Sequence, residues 1–223
     1  MLLNKKKTKT MIFNFTKNHQ FTTRMVEDDM NIEVVNEFKL LDTWITSDLC
    51  WDINTAFLTK KAYMRMQLLH KAAKFTKRKR DLKNIYTTFI RPVIEQSSSV
   101  WHSSLTEENN SDIERVQKAA VRVIMGKDYI DYPHALNELN ITDLYQRREK
   151  LLKNLALKIT KNPKVKHMLP LRTEYREDTR RHTEVYKTHR ANTQRLKTST
   201  IPYMQKILNQ HVKEETSWCQ IED

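Results

Sequence analysis

A chain of 223 residues with 40 lysines and arginines against 27 aspartates and glutamates carries a formal net charge of +13, and only 39% of its residues are hydrophobic. That balance favours a polyanionic partner, nucleic acid ahead of an acidic membrane surface, and the length admits one large domain or two small ones. The single glycine, Gly126, excludes a phosphate-binding P-loop, a dinucleotide fingerprint and a hydrolase nucleophile elbow, each of which needs several glycines at fixed spacing.

In chain order, residues 10–46 read as short strands. They run from Met11 to Phe15, Gln20 to Val26, Ile32 to Val35 and Phe38 to Thr46, with a turn at Glu27, Asp28 and Asp29. From Trp51 the hydrophobic period becomes helical, with Leu58, Ala62, Met66, Leu69 and Ala73 three or four residues apart and Asp52 or Asn54 as the cap. A second helix starts near Asp81, carries Leu82, Ile85, Tyr86, Phe89, Val93 and Ile94 on one side, and is kinked by Pro92. A third begins at Thr106, has Glu107 and Glu108 in its first turn, buries Ile113, Val116, Ala120, Val123 and Ile124, and ends at Gly126 in a left-handed conformation. A short helix from Pro133 to Leu139 precedes a long one that Thr142 caps and Asn162-Pro163 ends. Residues 172–200 are polar, basic and poor in aliphatic side chains, which predicts a mobile or weakly helical linker. A short amphipathic helix from Ile201 to Leu208 follows, then a frayed tail.

Two cysteines, Cys50 and Cys219, make neither a disulfide framework nor a metal-binding pair, and no apolar run reaches membrane-spanning length. The expectation is an intracellular chain, nuclear or cytoplasmic, without a membrane partner.

Several segments, in order, resemble the C-terminal region of non-LTR (LINE-type) retrotransposon reverse transcriptases. Asn4-Lys-Lys-Lys-Thr-Lys-Thr-Met-Ile-Phe13 looks like the N-x-x-K-T-K-x-M-x-F segment late in the palm, and Glu37-Phe-Lys-Leu-Leu-Asp-Thr-Trp-Ile45 like the primer grip. Asp48-Leu-Cys-Trp-Asp52 and Lys60-Lys-Ala62 look like the start of the thumb. Phe89-Ile-Arg-Pro-Val-Ile-Glu95, Val100-Trp-His-Ser-Ser-Leu105, Ile113-Glu-Arg-Val-Gln-Lys-Ala119, Arg147-Arg-Glu-Lys150 and Ser199-Thr-Ile-Pro-Tyr203 resemble segments of the thumb and the region beyond it. The resemblance implies a mainly α fold, a thumb-like helical bundle behind a small β remnant of the palm. It divides the chain into residues 1–50 (palm end), 51–170 (thumb and post-thumb), 171–200 (linker) and 201–223 (C-terminal helix and tail). It also implies a primer-grip-like role for Phe38, Leu40, Leu41 and Asp42, with Asp42 standing where the family has glycine, and makes Lys7 the match to a lysine that approaches the incoming nucleotide. The implied partners are RNA or DNA and the palm of an intact polymerase. The family's catalytic aspartates would lie before Met1, so no polymerase activity and no cofactor is expected here.

The residues themselves point the same way. Lys60, Lys61, Arg65, Lys71, Lys74, Lys77, Arg78, Lys79 and Arg80 place nine positive charges and no acid between positions 60 and 80. Lys60, Gln67, Lys71, Lys74 and Arg78 would form one helical stripe opposite the apolar one, suited to phosphates and indifferent to sequence. Asp28 and Asp29 mimic a catalytic acidic pair, but follow the Lys-Thr-Lys segment and lack an upstream partner, which reads as an exposed turn. Trp51 and Trp101 read as core residues, while Trp44, Trp51, Trp101 and Trp218 are the candidates for base stacking. His182, Glu184 and His189 or His211 have the residue types of a metal triad but lie in the polar segment, where structural or solvent roles are expected. Two other readings fit the same sequence: a domesticated helical protein-interaction module, and a retroelement remnant without function.

Overall fold

The computed structural model describes residues 8–14, 26–27, 30–172 and 184–219. The protein is mainly helical, and its named strands lie between Lys9 and Thr46. It divides into two compact units, residues 1–58 and 59–223.

The first unit holds β1 (Lys9–Thr10), β2 (Val26–Glu27), β3 (Met30–Asn31), β4 (Glu33–Val34), β5 (Glu37–Leu40) and β6 (Thr43–Thr46). β1 lies parallel to β4, and β2 pairs antiparallel with β3. The strand expected at Met11 is not formed: pairing is confined to Lys9 and Thr10, held in register by an ion pair from Lys9 to Glu33. Of the strand expected from Gln20, only Val26 lies within the described residues, and Asp28 and Asp29 lie outside them.

The strand expected from Phe38 to Thr46 is instead the hairpin β5–β6, with Phe38 opposite Ile45 and Lys39 opposite Trp44. Its loop residues Leu41 and Asp42 have φ of 47° and 66°. Two consecutive positive φ values are what a two-residue loop needs to follow the right-handed twist of its strands. Asn-Gly usually announces such a loop; Leu-Asp does not.

The hairpin is fastened to the first turns of α1 (Asp52–Phe75). The Trp44 backbone N–H donates to Asn54 Oδ1 at 3.1 Å, its ring meets Phe57 edge-on at 6.4 Å, and Lys39 Nζ sits 4.2 Å from the Phe57 ring centre. Asn54 therefore serves the hairpin, and Asp52 is the acid of the helix's first turn. α1 begins in the first unit and ends in the second.

The second helix of the sequence reading is three pieces: α2 (Lys79–Ile85), a π-helical turn at Tyr86–Ile90, and α3 (Arg91–Ile94). Pro92 has no N–H, and its ring crowds the carbonyl four residues earlier. The chain answers by widening one turn, so that Arg91 N–H donates to the Tyr86 carbonyl five residues back.

α4 (Ser98–Trp101) leads to α5 (Glu107–Met125), whose cap is Thr106, accepting from Asn109 N–H at 3.1 Å. Gly126 ends α5 with φ 58° and ψ −121°, positive as expected but outside the left-handed helical basin. Asp131 caps α6 (Tyr132–Leu139). Asp143, not Thr142, caps α7 (Leu144–Lys161), while the Thr142 carbonyl accepts from Gln117.

α5 is the centre of the second unit, burying Ile113, Val116, Ala120, Val121 and Ile124 and packing against α2, α6 and α7. A second cluster joins Leu152 and Ala156 of α7, Leu169, and Met204, Ile207 and Leu208 of α9 (Thr200–Cys219), which follows the short α8 (Gln194–Thr198). α9 extends well past the Leu208 end expected of it.

The described part of the expected linker is fastened to the fold. Val185 and Tyr186 N–H both donate to Asn209 Oδ1, at 3.1 and 2.8 Å, and Tyr186 packs on the second cluster. Residues 173–183 lie outside the described residues. Among the described residues no helix is long and apolar enough to cross a membrane.

Candidate nucleic-acid interface

Residues 60–75 contain no glycine, proline or β-branched residue, so the backbone strongly favours helix there. The side chains divide by position. Ala62, Met66 and Leu69 are buried, whereas Lys60, Gln67, Lys71 and Lys74 are exposed on the opposite side. α1 stops at Phe75. There Thr76 Oγ1 accepts from Arg78 N–H two residues on, at 3.2 Å, a local bond that competes with further helix. Arg78 is extended, with φ −73° and ψ 107°, so it does not continue the α1 stripe as the sequence suggested. Lys77 and Arg78 lie on the connection, and Lys79 and Arg80 open α2.

The nine cations do not share one fate. Lys79 Nζ bridges Asp128 at 2.5 Å and Glu138 at 2.6 Å. The hydrogen bonds it donates to Asp128 and then Glu138 hold its ammonium above the usual lysine value, and the contact with Asp128 holds that carboxyl below the usual carboxylate value. Arg65 Nη1 donates to the Phe89 carbonyl at 2.7 Å, tying α1 to the π turn. Lys61 is half-buried. The six that remain, Lys60, Lys71, Lys74, Lys77, Arg78 and Arg80, are exposed, and none forms an ion pair among the described residues. A shallow pocket of about 360 Å³ opens beside the connection, lined in part by Ala73, Thr76, Lys77, Val123, Gly126 and Lys127. Lys127 is a cation the sequence reading missed. It lines the same pocket as Lys77.

The primer-grip-like residues sit on the hairpin. Phe38 is half-buried, Leu40 and Leu41 are exposed, and Asp42 pairs with Lys39 at 2.6 Å. Lys7 lies outside the described residues, as does His182. His189 contacts Gln205 Oε1 through its backbone N–H at 3.2 Å and its ring at 2.9 Å, and Glu184 accepts from the Thr188 hydroxyl at 3.2 Å. No cluster of metal-ligating side chains occurs among the described residues. Trp51 and Trp101 are buried, which takes these two away from any stacking role, and Trp44 is half-buried with its ring edge-on to Phe57.

Many motif residues converge inside the second unit instead of at its surface. Glu95 pairs with Arg147 and, at 3.8 Å, with Arg91. Arg148, only 1% exposed, donates to Asn110 Oδ1 at 2.8 Å and to His102 Nδ1 at 3.3 Å, with its guanidinium 5.7 Å from the Trp101 ring. Gln117 accepts from Tyr86 at 2.6 Å and donates to Tyr132 at 2.8 Å, and Tyr132 in turn donates to Glu114. Burial, then the nearby Arg148 charge, pushes the His102 imidazole down to about 4. These groups join α3, α4, α5 and α7, which explains their spacing without assigning them a ligand.

The chain matches no family model, no curated protein and no solved structure in comparisons with known proteins.

Proposed function

We propose that this protein is a reverse-transcriptase-like chain of the non-LTR retrotransposon type whose second unit grips the phosphate backbone of RNA or DNA, with little sequence selection and no strand synthesis of its own. The observation that carries the binding claim is the set of six exposed cations on α1, the α1–α2 connection and α2, none of them in an ion pair among the described residues. An exposed ammonium or guanidinium without a carboxylate keeps its full charge for phosphate, and contacts of this kind position a nucleic acid without reading bases. The ancestry rests on the ordered motifs. It is supported by the way residues of three of those motifs pair with one another, Glu95 with Arg91 and Arg147, and His102 with Arg148.

The test is an electrophoretic mobility shift of the full chain on an RNA and a DNA of unrelated sequence, across a salt series. Each phosphate contact releases counterions, so several contacts predict a fall in affinity of about a hundredfold or more between 50 and 200 mM salt. The two sequences should differ little. Binding that ignores salt would remove the proposal.

A further inference from the structure

We infer that the outer face of α1 selects single-stranded over double-stranded nucleic acid, by stacking bases on Tyr63 and Phe75 while Lys60, Lys71 and Lys74 hold the phosphates. This rests on the nucleic-acid reading above and adds a strand preference to it.

Phe75 is 92% exposed, and Tyr63 is exposed as well. A bare phenyl ring at a helix end, in contact with water over nearly its whole surface, has no packing role in the fold. Lys60, Tyr63, Gln67, Lys71 and Phe75 follow one another at intervals of three or four residues, so they form a single row along the helix. Lys74 adjoins its end. Twelve residues separate the two rings, about 18 Å along the axis at the helical rise. Aromatic rings alternating with cations are the arrangement that holds unpaired strands, because every base offers a π-face and every nucleotide a phosphate. In a duplex the bases are stacked on one another and their faces are not available to such rings.

A helical protein partner would need an uninterrupted apolar seam on this face. Met64, Leu68 and Phe75 begin one, but Lys71 stands in the gap between Leu68 and Phe75, and no acid occurs between positions 60 and 80. The charge and the broken seam favour the nucleic acid.

The experiment is fluorescence anisotropy with the full chain and two labelled probes, a single strand of about 20 nucleotides and a blunt duplex with the same number of phosphates. The expected result is tighter binding to the single strand. Replacing both rings (Tyr63→Ala with Phe75→Ala) should weaken single-strand binding about tenfold or more and leave duplex binding unchanged. Phe75→Trp should restore it. Both side chains are exposed, so circular dichroism should report an intact fold. Equal affinity for the two probes, or a double-alanine chain that binds the single strand as the parent does, overturns the strand preference while leaving backbone binding standing, and an undiminished double-alanine chain would turn the apolar side chains over to a protein partner. Failure to bind either probe at low salt overturns backbone binding as well.

Discussion

His102 is 2% exposed and shares its Nδ1 with the guanidinium of Arg148, a side chain that is charged at every accessible pH. A proton on the imidazole would place a second positive charge in a buried site, so the folded state keeps His102 neutral down to about pH 4. The unfolded chain takes up that proton near the ordinary histidine value of about 6.5. Between those two values the unfolded state binds more protons than the folded one, so stability falls as pH is lowered through the window. The expected loss from pH 7 to pH 4.5 is on the order of 2 kcal/mol more for the parent than for His102→Gln in urea unfolding. In an NMR titration the His102 Cε1 resonance should stay that of the neutral ring until about pH 4; a midpoint near 6.5 would contradict this reading. None of this was visible in the sequence. His102 appeared only as the third letter of a Val-Trp-His motif, and its partner lies on a different helix.

Among elements, legibility followed the strength of local signals. α1, α5 and α7 were readable because their apolar residues repeat every three or four positions over many turns, and the cap at Thr106 was readable because a hydroxyl precedes two acids. The hairpin was not, because Leu41 and Asp42 adopt positive φ without the residues that normally advertise it. The fastening of residues 184–190 was hidden too, since it depends on Asn209 bonding backbone groups far away in sequence.

Gly126 shows the same division between what is local and what is not. The sequence located the end of α5, while the conformation itself is a backbone fact. A Cβ there would meet no atom within 4 Å, so only the dihedral angles oppose one. Gly126→Ala should therefore cost about 1–3 kcal/mol, the strain of holding an L-residue in that region, seen as a lower urea midpoint with unchanged slope. A neutral or stabilising substitution would mean that the turn tolerates an ordinary residue.

At the scale of the whole molecule, excess positive charge is a property of composition, but its usable part is a property of the fold. The sequence showed nine cations between positions 60 and 80. It could not show that Lys79 is taken by Asp128 and Glu138, that Arg65 is held by the Phe89 carbonyl, or that Lys127 joins the rim of the neighbouring pocket. Pairs of this kind form between elements that meet only after folding, so residue counting overstates the interface and misses part of it. The same applies to aromatic side chains. Trp51 and Trp101 are core, as their place in the sequence suggested, whereas the exposure of Tyr63 and Phe75 on α1 drew no notice there.

The measurement closest to the central claim is the slope of log affinity against log salt for the parent, for Lys71→Gln/Lys74→Gln/Arg78→Gln, and for Lys79→Gln. Each lost phosphate contact lowers the slope by about 0.7–0.9. The triple variant should therefore lose roughly two to three units of slope, while Lys79→Gln, which removes a cation already neutralised by two carboxylates, should keep the parent slope. A triple variant with the parent slope, or a loss as large from Lys79→Gln alone, would contradict the account.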